Sequence, residues 1–339
     1  MMVSDPYAHR EASVSVSRLP FAAHDRAPVK SFRHEAFLYS GIEHFLAGTT
    51  AFVGNALDDG EAVLAAVAEP HASLLRQALG DDAERIEFLD VGRVGRNPAR
   101  LIPAWQDWVD RNAFARGFRG IGEPIRMGRT SSETAECRHH EQLVNTAFDD
   151  GPAWWLLCPY DVAALPAPMI EHAYASHPAV VADDTTTCSP AYRRPEPGSP
   201  AVATEPLEEP PGRIHEIGFE MGSLGDLRDW VEKFAEPVLG RQRTADAVLV
   251  VSELAANSIK YGGGAGILRL WRDGRALVCE VRDEGVITDP LIGRRRPIIT
   301  VRGKAGLWIV NQVCDLVQIR SAPERGTVVR ARLADADAA

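Results

Sequence analysis

The sequence predicts an α/β protein made of two domains that are joined by a proline-rich segment. Over residues 31–181, short apolar runs alternate with segments of helical periodicity, which is typical of a largely parallel sheet with helices on both faces. Residues 214–333 combine amphipathic helices with alternating strands and a hairpin turn, which favours a mixed, mainly antiparallel sheet with helices on one face. Between the two, residues 182–213 contain seven prolines and predict an extended linker.

Length, charge and cysteine usage limit the classes of function. At 339 residues, with 45% hydrophobic and 25% charged residues, the chain can form two ordinary globular cores. A net charge of −10 argues against general binding to nucleic acid or to anionic membranes. None of the five cysteines forms a Cys-x-x-Cys pair, and no apolar run reaches the roughly 20 residues of a membrane span. We therefore expect a cytoplasmic protein without a signal peptide, with a disordered tail at 1–30 and a short tail at 334–339.

The predicted elements of the first domain alternate between strand and helix. Strands are predicted at 37–39, 61–67, 85–89, 118–122 and 154–158, and helices at 41–57, 71–79, 97–114, 132–148 and 168–177. Gly80 ends the second helix, and Pro98 lies in the first turn of the third. The domain contains neither of the glycine-rich phosphate-binding patterns, Gly-x-x-x-x-Gly-Lys-Ser/Thr and Gly-x-Gly-x-x-Gly, so no nucleotide site is predicted in it.

A metal site in the first domain is disfavoured by the spacing of its potential ligands. Cys137 and His140 lie three residues apart on a predicted helix, a spacing that can bind zinc. The other candidates considered are scattered residues, namely His34, His44 and Cys158. No second closely spaced pair joins them, and buried thiols are more often simple packing groups. His140 and Glu141 can equally anchor a small ligand or belong to an ordinary hydrogen-bonded helix.

Three stretches of the first domain carry a family resemblance. They are Arg-Gly-Ile-Gly-Glu-Pro at 119–124, Ala-Glu-Cys-Arg-His-His-Glu at 135–141 and Leu-Leu-Cys-Pro-Tyr-Asp at 156–161. Together they resemble a MEDS domain, a sensory module with a RecA-like α/β fold that is also found fused to serine-kinase ATPase domains. The resemblance covers about residues 31–180 and implies a regulatory input, not an active site.

The second domain is predicted to begin with a strand followed by two helices. The strand covers 214–221 and the helices cover 224–239 and 243–261; the later elements are a hairpin of 267–271 and 276–281, a helix at 306–313 and strands at 315–320 and 327–333. Residues 290–302 are basic and rich in turn formers, and we expect them to be a mobile lid. The three arginines within it, Arg294 to Arg296, can contact phosphates or an acidic partner, but a solvated loop is the favoured expectation.

One helix of this domain presents a carboxylate and a carboxamide together. Glu253 and Asn257 are four residues apart, which places them one turn apart on one helix face. An amide oxygen can hold Mg²⁺ on a nucleotide, and a carboxylate can accept a proton from a nucleophile. A solvated pair on an amphipathic helix is the simpler alternative when the stretch is considered alone.

Three further stretches follow it in order. Asp283-x-Gly285 ends a strand, where a carboxylate can accept a hydrogen bond from an adenine amino group. Residues 303–307, Gly-Lys-Ala-Gly-Leu, lead into an apolar helix whose first N–H groups suit phosphates. Gly326-Thr327 turns into the last strand.

Taken together and in this order, the four stretches resemble the ATP-binding boxes of the GHKL, or Bergerat-fold, ATPases over about residues 214–333. The wording of residues 252–262 is most similar to the anti-sigma-factor serine kinases. The resemblance implies ATP and Mg²⁺ as cofactors, with Glu253 as the catalytic base, Asn257 holding Mg²⁺ and Asp283 reading adenine. It also implies nucleotide contacts by Lys260, Gly285, Gly303, Lys304, Gly306, Leu307 and Thr327.

The resemblance implies an enzyme that phosphorylates a serine on an anti-sigma-factor antagonist under control of the sensory domain. It leaves a sigma factor and a homodimer open as further partners. The family lid usually reads Gly-x-Gly-Leu, whereas Gly303 lies one residue early here. This departure motivates an alternative, an ATP-gated interaction module with weak or no kinase activity. A sensor histidine kinase is disfavoured, because a proline-rich linker precedes the domain and His215 begins a strand.

Overall fold

The computed structural model describes residues 31–183, 185–194, 203–210, 212–297 and 305–335. Predictions that concern the first tail, Gly303, Lys304 and the second half of the expected lid lie outside these residues. No helix within the described ranges is both long enough and apolar enough to cross a bilayer.

The first domain alternates strands and helices as predicted. Its elements are β1 (Arg33–Tyr39), α1 (Gly41–Asp59), β2 (Ala62–Val67), α2 (His71–Leu79), β3 (Glu87–Asp90), α3 (Leu101–Arg111), β4 (Phe118–Gly122), α4 (Ser131–Phe148), β5 (Trp155–Asp161), α5 (Ala167–Ser176), β6 (Ala179–Ala182) and β7 (Thr185–Cys188). Short 3₁₀ turns at Val94–Arg96 and Pro98–Arg100 precede α3.

These strands form one sheet in the order β3-β2-β4-β5-β1-β6-β7, parallel throughout except for the antiparallel pair of β6 and β7. One face packs an apolar cluster that includes Trp105, Trp108 and Trp154, and the other packs a cluster around Phe45 and Phe52. Because parallel sheets are covered by helices on both faces, two clusters are the expected outcome. The predicted α/β class of this domain is confirmed.

The second domain is a sheet covered by helices on one side. Its elements are β8 (His215–Glu220), α6 (Leu224–Tyr261), β9 (Ala265–Asp273), β10 (Ala276–Asp283), α7 (Gly306–Val313), β11 (Leu316–Ala322) and β12 (Gly326–Ala334). The strand order is β11-β12-β10-β9-β8, and all four described pairings are antiparallel. Gly240 has non-helical angles (φ 69°, ψ 171°) and divides α6 into the two helices that the sequence predicted.

Candidate nucleotide site

The second half of α6 places Glu253 and Asn257 at the edge of the core. Val250, Val251 and Leu254 are fully or almost fully buried under this helix, at 0–2% exposure. Glu253 and Asn257 lie on another side of it and are half-buried. The apolar residues therefore fix the helix, and the carboxylate and carboxamide project from a rigid element.

The start of α7 lies directly against these two side chains. A β-carbon added to Gly306 would lie 2.8 Å from Oε2 of Glu253 and 3.1 Å from Nδ2 of Asn257. Gly306 itself is buried. The absence of a side chain thus allows the helix start, with its free N–H groups, to approach the predicted base and the predicted magnesium ligand.

Asp283, at the end of β10, is held by two hydrogen bonds. Its Oδ2 accepts from the hydroxyl of Ser258 at 2.6 Å, and its Oδ1 accepts from the backbone N–H of Gly285 at 2.8 Å. The hydroxyl of Thr327 donates to the carbonyl of Gly285 at 2.8 Å. Three predicted nucleotide-binding residues, Asp283, Gly285 and Thr327, are thereby brought together, and Ser258 joins them from the helix that carries Asn257.

The glycine before Thr327 is required by the backbone. Gly326 has φ 70°, and a β-carbon there would lie 2.0 Å from the carbonyl oxygen of Asp283. Any L side chain would therefore displace the end of β10. Gly326 thus lets the last strand lie close to Asp283.

Two other predicted nucleotide contacts lie at the margin. Lys260 is exposed, and its ammonium lies 4.7 Å from the ring centre of Tyr261. Leu307 is partly buried and packs against the core of the second domain. Their predicted contacts with nucleotide remain predictions.

Sequence reasoning missed two hydroxyls in this region, Ser258 and Ser321. The Ser321 hydroxyl lies 2.8 Å from that of Thr327 and accepts from the backbone N–H of Ile287 at 2.9 Å. Ser258 lies four residues after the buried Leu254, so its burial could have been predicted from the helix period. Nothing in the sequence indicated the contact of Ser321 across two elements.

The first domain contacts the other end of α7. Arg100 donates to the carbonyl of Asn311 at 2.8 Å and to that of Cys314 at 2.6 Å, and the amide of Asn97 donates to Asn311 at 3.0 Å. The last carbonyls of a helix lack intrahelical partners, and a cation there is favourable. Burial lowers the pKa of Arg100 and nearby Asp315 opposes that shift. Residues of one domain therefore cap a helix of the other.

A buried ion cluster forms a second contact between the domains. Glu136 of α4 is 1% exposed, and its carboxylate lies 2.9 Å from Arg320 and 3.5 Å from Arg294. Burial lowers the pKa of Arg294, while Glu136 opposes the shift. The expectation that all three lid arginines are solvated is wrong for Arg294, because it faces a carboxylate from the other domain; Arg295 and Arg296 are exposed as expected.

Two cavities in the described part of the chain lie away from this site, since neither is lined by Glu253, Asn257 or Asp283. The larger, about 660 Å³, lies beneath residues 205–210. The smaller, about 320 Å³, lies between α3 and α7. The candidate nucleotide site is defined by the convergence of described side chains; residues 298–304 lie outside the described part of the chain.

Comparison with known families finds one match in each of the two domains. Residues 33–178 match the family model of the MEDS domain, the MEthanogen/methylotroph, DcmR Sensory domain. Residues 219–333 match the model of the histidine kinase-like ATPase domain. The chain is thus a MEDS domain followed by a histidine kinase-like ATPase domain, and the second match supports ATP binding. A search of curated proteins finds no match.

Proposed function

We propose that the chain is an Mg²⁺- and ATP-dependent protein serine/threonine kinase of the anti-sigma-factor type, controlled by its MEDS domain. Its substrate would be a serine on an anti-sigma-factor antagonist, with a sigma factor and a second copy of the chain as further partners. The observation that carries the proposal is the convergence of Glu253 and Asn257 with the glycine start of α7. Asp283, the predicted adenine contact, accepts a hydrogen bond from Ser258, the residue that follows Asn257.

The donor set fits Mg·ATP. Mg²⁺ takes oxygen ligands, often one or two from the protein with the rest from phosphates and water, and the amide oxygen of Asn257 would supply one. ATP supplies the phosphoryl group. The serine oxygen forms a bond to the γ-phosphorus, the bond from that phosphorus to the bridging oxygen breaks, and ADP leaves. The carboxylate of Glu253 takes the hydroxyl proton.

The regulatory part of the proposal is supported by the contacts on α7. The start of α7 lies against Glu253 and Asn257, while its end is held by Asn97 and Arg100 of the MEDS domain. A ligand that alters the MEDS domain would change how firmly this helix is held, and so would change nucleotide affinity.

The kinase assignment is tested by incubating the full chain with Mg²⁺, labelled ATP and candidate antagonist proteins from the same genome, while ATP binding is measured separately by calorimetry. Glu253→Gln should reduce transfer by about 10²- to 10⁴-fold and leave ATP affinity within about threefold. Asn257→Ala should weaken binding of Mg·ATP itself. Glu236→Gln, at an exposed glutamate in the first half of α6 before Gly240, is the matched control and should change neither.

Equal transfer by wild type and Glu253→Gln would overturn the assignment of the base. Label on an antagonist serine that depends on Glu253 would support the kinase.

The regulatory contact has its own test. Arg100→Gln should change ATP affinity by about fivefold or more, because it removes both hydrogen bonds to the end of α7. Arg111→Gln, which removes an exposed ion pair with Glu87 inside the first domain, should leave the affinity unchanged. Equal ATP affinity in Arg100→Gln and wild type would contradict the coupling.

The close packing of Gly306 against Glu253 also favours a second candidate, an ATP-gated interaction module. In that case the base stays covered, and nucleotide binding changes partner affinity without transfer. Tight ATP binding, ATP-dependent capture of an antagonist and absence of label would favour this module over the kinase.

A further inference from the structure

Four potential metal ligands meet in the core of the MEDS domain. They are His34 on β1, Glu141 on α4, Cys158 on β5 and His177 after α5, and one ligand atom from each lies within 4.8 Å of all the others. Their exposures are between 0% and 2%. The spacing of Cys137 and His140 made them a candidate zinc pair, although a metal was disfavoured. The structure leaves both outside this cluster, to which Glu141 and His177 contribute instead.

The ring orientation of both histidines is fixed by outer hydrogen bonds. The Asn145 amide nitrogen donates to the carbonyl of Ser176 at 2.8 Å, so its Oδ1 is the acceptor facing Nδ1 of His34 at 3.1 Å. Nδ1 of His177 lies 2.9 Å from the carbonyl of Ala173, which can only accept. Both Nδ1 atoms therefore carry a proton, so in a neutral ring the Nε2 lone pair is the one that faces the cluster.

This arrangement brings acceptors face to face. Nε2 of His177 lies 2.9 Å from Oε2 of Glu141, and Nε2 of His34 lies 3.3 Å from the same oxygen. Although buried and close, Oε2 of Glu141 and Nε2 of His177 are not aligned as a hydrogen bond and have no other hydrogen-bond partner. Buried polar atoms without hydrogen bonds are rare, and each such atom calls for an explanation.

We propose that His34, Glu141, Cys158 and His177 bind one divalent ion of the zinc class in tetrahedral geometry. Thiolate, imidazole and carboxylate are the ligands that Zn²⁺ takes, at about 2.0–2.3 Å, which puts neighbouring ligand atoms about 3.3–3.7 Å apart. His34 Nε2 lies 3.3 Å from Cys158 Sγ, within this range, and all four ligand atoms lie within 4.8 Å of one another. Binding exchanges the thiol proton of Cys158 for the metal–sulfur bond, and the proton leaves to solvent.

Charge balance also favours an ion. Two neutral imidazoles, one thiolate and one carboxylate sum to −2, which a divalent cation cancels. A net-neutral cluster avoids the large cost of an isolated charge in an apolar core. The surroundings are aromatic: the ring centre of Tyr160 lies 5.6 Å from that of His177, and the ring centre of Phe32 lies 5.8 Å from that of His34.

The test uses the full chain, stripped with a chelator, desalted and titrated with Co²⁺ as a spectroscopic substitute and then with Zn²⁺. We expect about one ion per chain, the intense visible bands of tetrahedral Co²⁺, and a thiolate-to-cobalt charge-transfer band in the near ultraviolet. Zn²⁺ should displace Co²⁺ and raise the unfolding temperature.

Matched variants assign the ligands. Cys158→Ala should remove the charge-transfer band, whereas Cys137→Ala, an equally buried thiol on α4, should keep it. Asn145→Ala, which removes the hydrogen-bond acceptor of His34, should weaken the Zn²⁺ affinity by about 10- to 100-fold. Competition with a chromophoric chelator measures this affinity.

Two outcomes overturn the proposal. The first is that the wild-type chain, folded as judged by circular dichroism, shows no tetrahedral Co²⁺ bands and no stoichiometric binding of Zn²⁺. The pair of His177 and Glu141 would then be an imidazolium and a carboxylate. The second is an unchanged charge-transfer band in folded Cys158→Ala. The wild-type titration decides the question even where a variant fails to fold.

Discussion

Replacing Glu136 by glutamine removes one charge from the buried contact between the domains and changes little else. The carboxylate lies 2.9 Å from Arg320 and 3.5 Å from Arg294, whose side chains are 12% and 6% exposed. Breaking a buried pair from one side costs about 3–5 kcal/mol, because the partner charge stays buried without compensation. Since Arg320 retains some solvent, we expect Glu136→Gln to lower the free energy of unfolding by about 3 kcal/mol.

The control is an exposed ion pair between the same two domains. Asp107 and Arg296 lie 3.5 Å apart with side chains 42% and 68% exposed, so Asp107→Asn should cost less than about 1 kcal/mol. Urea unfolding followed by tryptophan fluorescence measures both, since Trp105 and Trp108 are buried in the first domain. Equal losses in the two variants, both below about 0.5 kcal/mol, would refute the claim that the Glu136 contact is desolvated.

Further predictions concern stability, its dependence on pH, and nucleotide binding. Gly326→Ala should lower the free energy of unfolding by at least about 2 kcal/mol, because of the positive φ and the steric overlap. Gly218→Ala, on a strand with open space around it, should lower it far less. Similar urea midpoints for the two variants would contradict this. The hydrogen bond to Glu123 raises the pKa of His71 in the folded state. The stabilisation from this bond is therefore complete below the pKa of His71 in the unfolded chain and is lost as pH rises through its pKa in the folded chain. His71→Gln should flatten that decline in unfolding free energy, and parallel profiles would disprove it. Gly306→Ala should weaken ATP binding in calorimetry by about tenfold or more, because its methyl group meets the two predicted phosphate-side residues; unchanged affinity would argue against the site.

The fold class and most elements could be predicted because local periodicity carries them. The strands that escaped prediction depend on pairing. β6 is four residues long, and β7 (Thr-Thr-Thr-Cys) is exposed throughout and lies within the segment expected to be linker. The first residues of β1 were missed because Arg33, His34 and Glu35 are polar, although the last two are only 2% exposed. Burial of a polar residue depends on partners far away in the chain, which a window of sequence does not contain.

The candidate site shows the same division. Glu253 and Asn257 could be paired from spacing alone, because one helix holds both. The contact between Arg294 and Glu136 joins residues 158 positions apart, and the cluster of His34 with Cys158 joins residues 124 apart. Neither has a local signal, so each became visible only when the sheet and its helices were assembled.

The position of these long-range contacts suggests how a sensory domain can act on an ATPase domain. Glu136 contacts Arg294, which precedes residues 298–304 in the chain. Arg100 contacts the end of α7, which follows them. The MEDS domain thus contacts Arg294, within the predicted lid of 290–302, and the helix α7 that follows it. Glu136 and the proposed metal ligand Glu141 lie on one helix, α4, so a change in the MEDS core that shifts α4 alters one of these two contacts directly. Because coupling between sites is reciprocal, ATP bound beside α7 would in turn favour one state of that core.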